Sequence, residues 1–493
     1  MINSIKYFEE KSISKFEKLQ GVFLESPSDI ASYVLELTEE LHKWGLMVIQ
    51  ESLEQLDQLY VKSSRRKEKW SIERSGVEKQ LITSLGTVQF KKTLFVNKET
   101  GKSEFLVDRA LGLEKHERMT EDAEAKMLEE AVQTSYRRGG EESSLMSEVS
   151  KQTVKNKLHR LKFPENAEQP KGKKKVDYLY IDADEDHVSL QFREEKGDLT
   201  ENENHQKNNC LLTKIAYVYE GIEREAPKSK RNKLVNPHYF CGTGKVETNE
   251  AFWDNVYQYI ETHYEINRIK QIYLNSDGGA WIKAGMKRIS GMTHVLDEFH
   301  ISKYLIKLTS HMGDTREDAR SVLREVIRKG TKKEFVEKVE LLKNDLLPAG
   351  REEKLEEYKK YILDNWTPAK LRLRHQDGVK GSSTEAHVSH ILSSRMSSRP
   401  MGWSSLGAHK MAQLRAYYKN GGSMLELVHF QKEELKEVSG GTEVVLSAAE
   451  VLASERKNHG EVGKYMKTIQ HEASDKISHL SWYQAIINGG FSK

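Results

Sequence analysis

Residues 176–192, VDYLYIDADEDHVSLQF, constrain the fold of this 493-residue chain more than any other stretch. Apolar and polar side chains alternate with period two, the signature of a half-buried strand. Leu179, Ile181 and Ala183 take one face, and Asp182 and Asp184 take the other. Carboxylates in the middle of a strand that otherwise reads as core are costly unless they are paired or metal-bound. A chain with such a strand must cover one face with apolar residues and satisfy the acids on the other.

The segments that follow set the arrangement. CLLTKIAYVYEGIE reads as a second strand, reached across a polar loop that begins near Lys196. A third strand is expected near His238–Cys241, and Glu250–Ile266 has helical periodicity. IYLNS is a fourth strand, Trp281–Ile289 a helix and THVLDEFH a fifth, short strand. Three strands, then helix, strand, helix, strand is an α/β arrangement. The fourth strand stops at SDGG, so Asp277 either caps the next helix or serves as a ligand at the carboxyl end of a strand. In a ribonuclease H arrangement strands one and four are neighbours, and their acids converge at one edge. Glu385, at the start of a helix after Ser382-Ser383-Thr384, would supply a third. Taken singly, each acid has an ordinary explanation: Asp277 as a cap, Glu385 as a first-turn dipole partner, Asp182 and Asp184 as surface groups. Taken together, hard oxygen donors suit two ions of Mg²⁺ or Mn²⁺ clamped on a phosphoryl group. Asp297 and His300, three apart at the end of the fifth strand, read on spacing alone as a structural turn.

Upstream, residues 1 to about 65 carry helical periodicity and alternate acidic and basic residues, as solvent-facing or self-associating helices do. GTVQFKKTLFV and KSEFLVD flank the turn NKETGK and predict a hairpin. YRRGGEESSLMSEVSKQTVKNKLHRLKF has helix-turn-helix proportions, with a short helix at Ser143–Glu148 and Ser150 capping a last helix that runs to about Leu161. That helix would expose Lys151, Gln152, Lys155, Asn156, His159 and Arg160, donors suited to phosphates and base edges, or to the surface of an ordinary basic helix. The polar, proline-flanked run 163–175 reads as a linker. Residues 301–372 are helical and highly charged.

Composition narrows the class. The formal net charge is +3, the mean hydropathy is −0.70, and 31% of residues are charged against 37% hydrophobic. This is a polar chain with enough apolar content to fold. Cys210 and Cys241 are the only cysteines, too few for a disulfide framework or a cysteine-rich zinc module. The N-terminal MINSIKYFEEKSISKF lacks the apolar core of a secretory signal, and no run of about 18 apolar residues is present, so a cytosolic protein is expected, without a membrane span.

DADEDHVSLQ, SDGGAWIK, LDEFHISKYL and STEAHVSHILSSRMSSRPMGW, in that order, resemble the ISLre-type insertion-sequence transposases of bacteria, DDE enzymes distantly similar to the Mutator-like group. The likeness covers most of the chain, including LITSLGTVQFKKTLF and VSKQTVKNKLHRL. It implies an α/β protein with large helical parts. A ribonuclease H-like catalytic domain with a helical insertion would follow a mostly helical N-terminal region that contains a helix-turn-helix. The implied divisions are a helical region at 1–75 that would serve self-association, hairpin and helix-turn-helix at 76–162, and a basic linker at 163–175. The first part of the core would follow at 176–300, the insertion at 301–375, and the completion of the core at 376–493. Asp277 matches the second aspartate of the family pattern and Glu385 the glutamate. The first is Asp184 or Asp182; Val188, four residues after Asp184, favours Asp184. Glu185 stands where the family often has glycine, and Asp297 and His300 resemble its Cys-x-x-His pair with aspartate in place of cysteine.

The implied activity is metal-dependent cleavage at transposon ends followed by strand transfer, in the bacterial cytosol at the nucleoid and by a homo-oligomer, since two ends are joined. Double-stranded DNA, both ends and target, would lie along Lys151, Gln152, Lys155, Asn156 and Arg160, the linker residues Lys173, Lys174 and Lys175, and Arg395 and Arg399. Lys228–Lys233, Arg372, Arg374 and His375 are further basic candidates, and Trp281 and Trp403 candidate stacking residues. A nuclease of the same fold that cuts without joining, and a DNA-binding regulator that has lost catalysis, are the alternatives.

Overall fold

The computed structural model describes residues 3–164, 172–191, 209–343, 350–375, 384–399 and 401–438, the side chains of Glu385 and of residues 435–438 excepted. The chain divides into two compact units. One comprises Met1–Met127, Glu141–Val149 and Val428–Lys493, the other Leu128–Gly140 and Ser150–Leu427. Of the expected linker 163–175, residues 165–171 lie outside the described residues.

The first unit is organised by a 33-residue helix, Ile30–Lys62, whose N-terminus is capped by the Asp29 side chain on the Ser32 amide. Two buried acids on this helix do the fastening. Glu40 accepts from Tyr7 Oη at 3.1 Å, Ser12 Oγ at 2.9 Å and Lys15 Nζ at 3.0 Å, which holds the preceding helices alongside. Asp57 accepts from the amide and hydroxyl of Thr93 at 2.8 and 2.7 Å, which ties the helix to a sheet. That sheet pairs β1 (Trp70–Ile82) with β2 (Thr87–Asn97), and β2 with β3 (Ser103–Glu104), all antiparallel. The hairpin around NKETGK is therefore present. The longer partner of β2 is β1, which the sequence pattern had assigned in part to the helical region. Most of β1 is exposed, so its charged residues mask the alternation that marks a half-buried strand.

In the second unit a mixed five-stranded sheet has the order β10-β9-β4-β5-β8. Its strands are β4 (Tyr178–Ser189), β5 (Cys210–Tyr219), β8 (His238–Thr243), β9 (Gln271–Ser276) and β10 (Met292–Leu296). A two-stranded ribbon, β6 (Gly221–Arg224) with β7 (Asn232–Val235), interrupts the passage from β5 to β8. β4, β5 and β8 run antiparallel in turn, whereas β9 pairs parallel with β4 and β10 parallel with β9. Parallel neighbours require crossovers. Asn249–His263, capped by Thr248 on the Ala251 amide, leads into β9, and Ala280–Arg288 leads into β10. Both helices cover the apolar face of the sheet, where Leu179, Ile181, Ala183 and Val218 pack with Phe252, Trp253, Val256, Ile260 and Trp281.

After β10 come five helices, Glu298–Thr309, Arg316–Lys329, Lys332–Leu341, Glu352–Asp364 and Trp366–Arg374, with a core of their own around Leu305, Ile327, Phe335, Ile362 and Trp366. This is the helical stretch expected between the fifth strand and Glu385. A continuous helical run then spans Thr384–Met396, with a wide π segment at Ser389–Ser393, and is followed by Ser405–Lys419. Lys151–Arg160 is helical as expected, with Ser150 accepting from the Thr153 amide, and buries Val154 and Leu158. The expected short helix at Ser143–Glu148 is absent; those residues form turns and bends. Ser147 Oγ instead bonds the Thr87 hydroxyl at 2.7 Å. Among the described residues, no helix is long and apolar enough to cross a membrane.

Candidate functional site

Asp182, Asp184 and Asp186 lie on the same face of β4, opposite the apolar layer, and the structure gives each a different fate. Asp182 is fully buried and accepts from Tyr217 Oη at 2.9 Å, Tyr219 Oη at 3.0 Å and Asn275 Nδ2 at 2.6 Å. The register explains the tyrosine contacts: Tyr217 on β5 is the direct cross-strand partner of Asp182, and Asn275 on β9 is its parallel partner. Behind Asn275 stands Arg372, itself buried, which donates to Asn275 Oδ1 and, at 3.1 Å, to the carbonyl of Leu296. Asp182 is thus the centre of a satisfied polar network. Arg372, a candidate for a DNA-facing surface, is part of that network and not of any surface.

Asp184 differs. Among the described residues its carboxylate has one hydrogen bond, from the adjacent Glu185 amide at 2.8 Å. Burial, with the charge of Asp277 adding to it, pushes its carboxyl up to about 7. Asp277 sits just past the end of β9, where parallel pairing brings that strand's carboxyl end beside β4. Its side chain does not cap the next helix at the N-cap position, which Gly279 occupies without a side-chain cap; Asp277 Oδ1 instead accepts from the Gly279 amide at 2.9 Å in a local turn. Gly278 makes that turn with φ +86°, and a Cβ there would fall 2.5 Å from Asn365 Oδ1. Only glycine meets both demands. The carbonyl of Asp277 accepts from Tyr361 Oη at 2.7 Å, and Tyr361 stacks on Tyr304 at 3.8 Å between ring centres. The helices after β10 therefore fix the backbone of the acid.

His300 Nδ1 is 3.5 Å from Asp297 Oδ2, an ion-pair separation without hydrogen-bond alignment. Burial opposes its charge, but Asp297, Asp277 and Asp184 outweigh burial and raise its pKa. Glu185 points to the other side of the sheet and accepts from Trp281 Nε1 at 2.6 Å; burial raises its pKa too. Asp184, Asp277, Asp297 and His300 thus share one edge of the sheet, at the carboxyl ends of its parallel strands. Glu385 lies on the first turn of Thr384–Val388.

Several expected DNA contacts look different in three dimensions. Lys151, Gln152, Asn156 and Arg160 are exposed, with Gln152 donating to Asn156 at 2.8 Å, and Lys155 is partly covered. Lys173 is exposed, Lys174 pairs with Glu220 at 2.7 Å and Lys175 with Glu265 at 3.7 Å. Arg399 is exposed, but Arg395 is buried. Its guanidinium lies over the rings of Tyr136 and Trp403, donates to the Ala131 carbonyl at 2.9 Å, and is pulled down to about 10 by burial. An arginine boxed in by aromatic faces is an internal latch and cannot reach a phosphate. Trp281 and Trp403 are buried as well, Trp403 donating to the Met396 carbonyl, so neither is a stacking platform. The residues that sequence reasoning missed are Tyr217, Tyr219, Asn275 and Tyr361. The period-two placement of Tyr217 and Tyr219 on the strand after DADED was the available signal.

A solved structure, the Drosophila P element transposase strand transfer complex, aligns over 64% of this chain and 81% of its own at 10% identity, with a TM-score of 0.20 that establishes no shared fold. Sequence relatives are much nearer. A UPF0236 protein of Caldanaerobacter subterraneus subsp. tengcongensis, which goes under eleven designations in that organism, is 32% identical over 96% of this chain and 92% of its own length. A Streptococcus gallolyticus relative, the UPF0236 protein in the vanSb 3′ region, is 27% identical over 80% of this chain and 83% of its own. The model of an uncharacterised protein family matches residues 28–434, and on that match and those identities the chain belongs to the UPF0236 family.

Proposed function

We propose that this protein is a DDE transposase of an insertion sequence, with a ribonuclease H-like catalytic core. The observation that carries the reading is the meeting of Asp184 and Asp277 at the carboxyl ends of the adjacent parallel strands β4 and β9, in a sheet of three antiparallel strands continued by two parallel ones. Ligand sites of open α/β sheets lie at that edge. The helical stretch between β10 and Glu385 fits the insertion the reading requires. A relative known under eleven designations in one organism fits a gene that copies itself.

The described donors fit a hard divalent cation. Two carboxylates at one sheet edge, one of them held well above the usual carboxylate range by burial with its neighbour's charge adding to it, favour a positive charge between them. Among the described residues there is no group of three ligands; the third donor in this reading is Glu385. Asp184, Asp277 and Glu385 would hold Mg²⁺ or Mn²⁺, which when bound supplies the charge that stabilises in-line phosphoryl displacement. Tyr361 and Gly278 keep Asp277 in place, and the Asp182 network keeps β4 and β9 in register. His300 carries positive charge more readily than an ordinary histidine, which suits a contact to a scissile phosphate. Exposed Lys151, Arg160, Lys173 and Arg399 would hold the duplex.

The test is cleavage and joining of a labelled duplex carrying the element's own ends, with Mg²⁺ or Mn²⁺. Wild type should cut and join. Asp184→Ala, Asp277→Ala and Glu385→Ala should bind the ends but lose at least about a thousandfold in rate. Cutting without joining would point to a nuclease. End binding that no acid affects, with no cutting by wild type, would leave a DNA-binding regulator.

A further inference from the structure

The helical run Thr384–Met396 is held against β4 by contacts that the proposed catalytic residues do not make. Asp186 Oδ2 accepts from Ser393 Oγ at 2.9 Å and from Ser397 Oγ at 2.6 Å, two hydroxyls one helical turn apart. Asp186 Oδ1 takes the His187 amide at 2.8 Å, so both oxygens of this carboxylate are occupied within the protein. At the other end of the run, Thr384 Oγ1 lies 3.5 Å from Asp182 Oδ2. The outer two acids of the β4 face therefore grip the helix, and Asp184, between them, does not.

The grip falls on an irregular piece of helix. Ser389–Ser393 is a π segment, in which carbonyls lose their usual partners and the turns on either side are rotated relative to one another. Buried Arg415 answers the loosened backbone, donating to the carbonyls of His390 and Ile391 and to Ser394 Oγ at 3.1 Å. Ser393 is the last residue of this segment. Fixing its hydroxyl on Asp186 fixes the C-terminal side of the wide turn on the strand, and with it the direction in which the first turn, bearing Glu385, leaves.

We infer that Asp186, acting through Ser393 and Ser397, is a positioning residue that sets the helix of Glu385 against the strand of Asp184. The inference rests on the metal-dependent reading given above. Groups that orient ligands without touching the metal commonly contribute tenfold to a hundredfold in affinity. Removing both hydroxyls changes no charge and leaves every proposed ligand in the chain.

The experiment is calorimetric titration of the full chain with Mn²⁺, for wild type, Asp184→Ala, the pair Ser393→Ala/Ser397→Ala, and the pair Ser393→Thr/Ser397→Thr, with circular dichroism to report the fold. Wild type should take up Mn²⁺ and Asp184→Ala should not. The alanine pair should weaken uptake about tenfold, and the threonine pair, which keeps the hydroxyls, should restore it to within about twofold of wild type. A folded alanine pair with wild-type affinity overturns the positioning role alone. Equal losses in the alanine and threonine pairs overturn it as well, because the hydroxyls then do not matter. If the alanine pair does not fold, Ser393→Ala is judged by the same criteria. Wild type that takes up no Mn²⁺ at this site overturns the metal-dependent function and the positioning role together.

Discussion

The two faces of the five-stranded sheet solve opposite problems with the same strands. On one, Leu179, Ile181, Ala183 and Val218 meet Trp253, Val256 and Ile260 in a layer held by close packing. On the other, Asp182, Tyr217, Tyr219, Asn275 and Arg372 form a network held by direction, each hydrogen bond fixing the next. The apolar face tolerates small shifts and resists loss of volume. The polar face resists loss of any one partner, because the groups left behind are buried. Only the second kind of construction can hold a sparsely bonded carboxylate such as Asp184 in place, since its neighbours are pinned at fixed positions. What separates the faces is therefore not strength but what each allows at its edge.

The contrast can be broken most strongly from the apolar side. Trp253→Ala, at a fully buried ring, should destabilise the second unit by about 3–5 kcal/mol in urea unfolding while leaving the Asp182 network formed. Asp182→Ala should cost about 2–4 kcal/mol, since it strands two buried tyrosine hydroxyls and a buried amide. A loss under about 0.5 kcal/mol would show that the network adds no stability. Acid should act through the packed side. His238, stacked on Tyr259 at 4.0 Å, is held down to about 4 by burial, with the charge of His263 adding to it, against an ordinary 6.5. A histidine whose folded pKa is depressed gives stability that is complete above 6.5 and is lost as pH falls towards 4. His238→Phe should flatten that acid limb by about 2 kcal/mol when unfolding is followed from pH 7 to pH 4.5. The smallest effect is expected for Tyr361→Phe, which deletes one hydrogen bond to the Asp277 carbonyl. It should cost about 1 kcal/mol or less in stability and lower the rate of end cleavage by more than that stability loss explains.

The packed face was far more legible in the sequence than the polar one. Period-two alternation in VDYLYIDADEDHV, and the order of apolar runs after it, locate five strands and two crossover helices, because burying apolar area leaves a periodic trace. SDGG also announced itself, though the reason for its first glycine, a positive φ beside Asn365, exists only in three dimensions. The polar network left little trace. Arg372 and Arg395 carry the same letters as surface arginines, and nothing local to them says that one meets Asn275 and the other two aromatic rings. The same limit explains Trp281 and Trp403, whose indole donors are spent on Glu185 and on the Met396 carbonyl. Strand β1 was obscured for the opposite reason: an exposed strand need not alternate.

The spacing of Asp182, Asp184 and Asp186 has a consequence for how the chain finds its native pairing. A strand shifted by one residue turns every side chain to the opposite face. Such a slip of β4 would drive three carboxylates in among Trp253, Phe252 and Ile260 and lift Ile181 and Ala183 out towards the tyrosines. Glu185 is accommodated on that side by the Trp281 indole, but carboxylates buried among hydrocarbon without such a partner are costly. The acids on this strand therefore act before any chemistry does, as an error check on assembly: a mispaired β4 cannot close its core, and the sheet must reopen until the register is right.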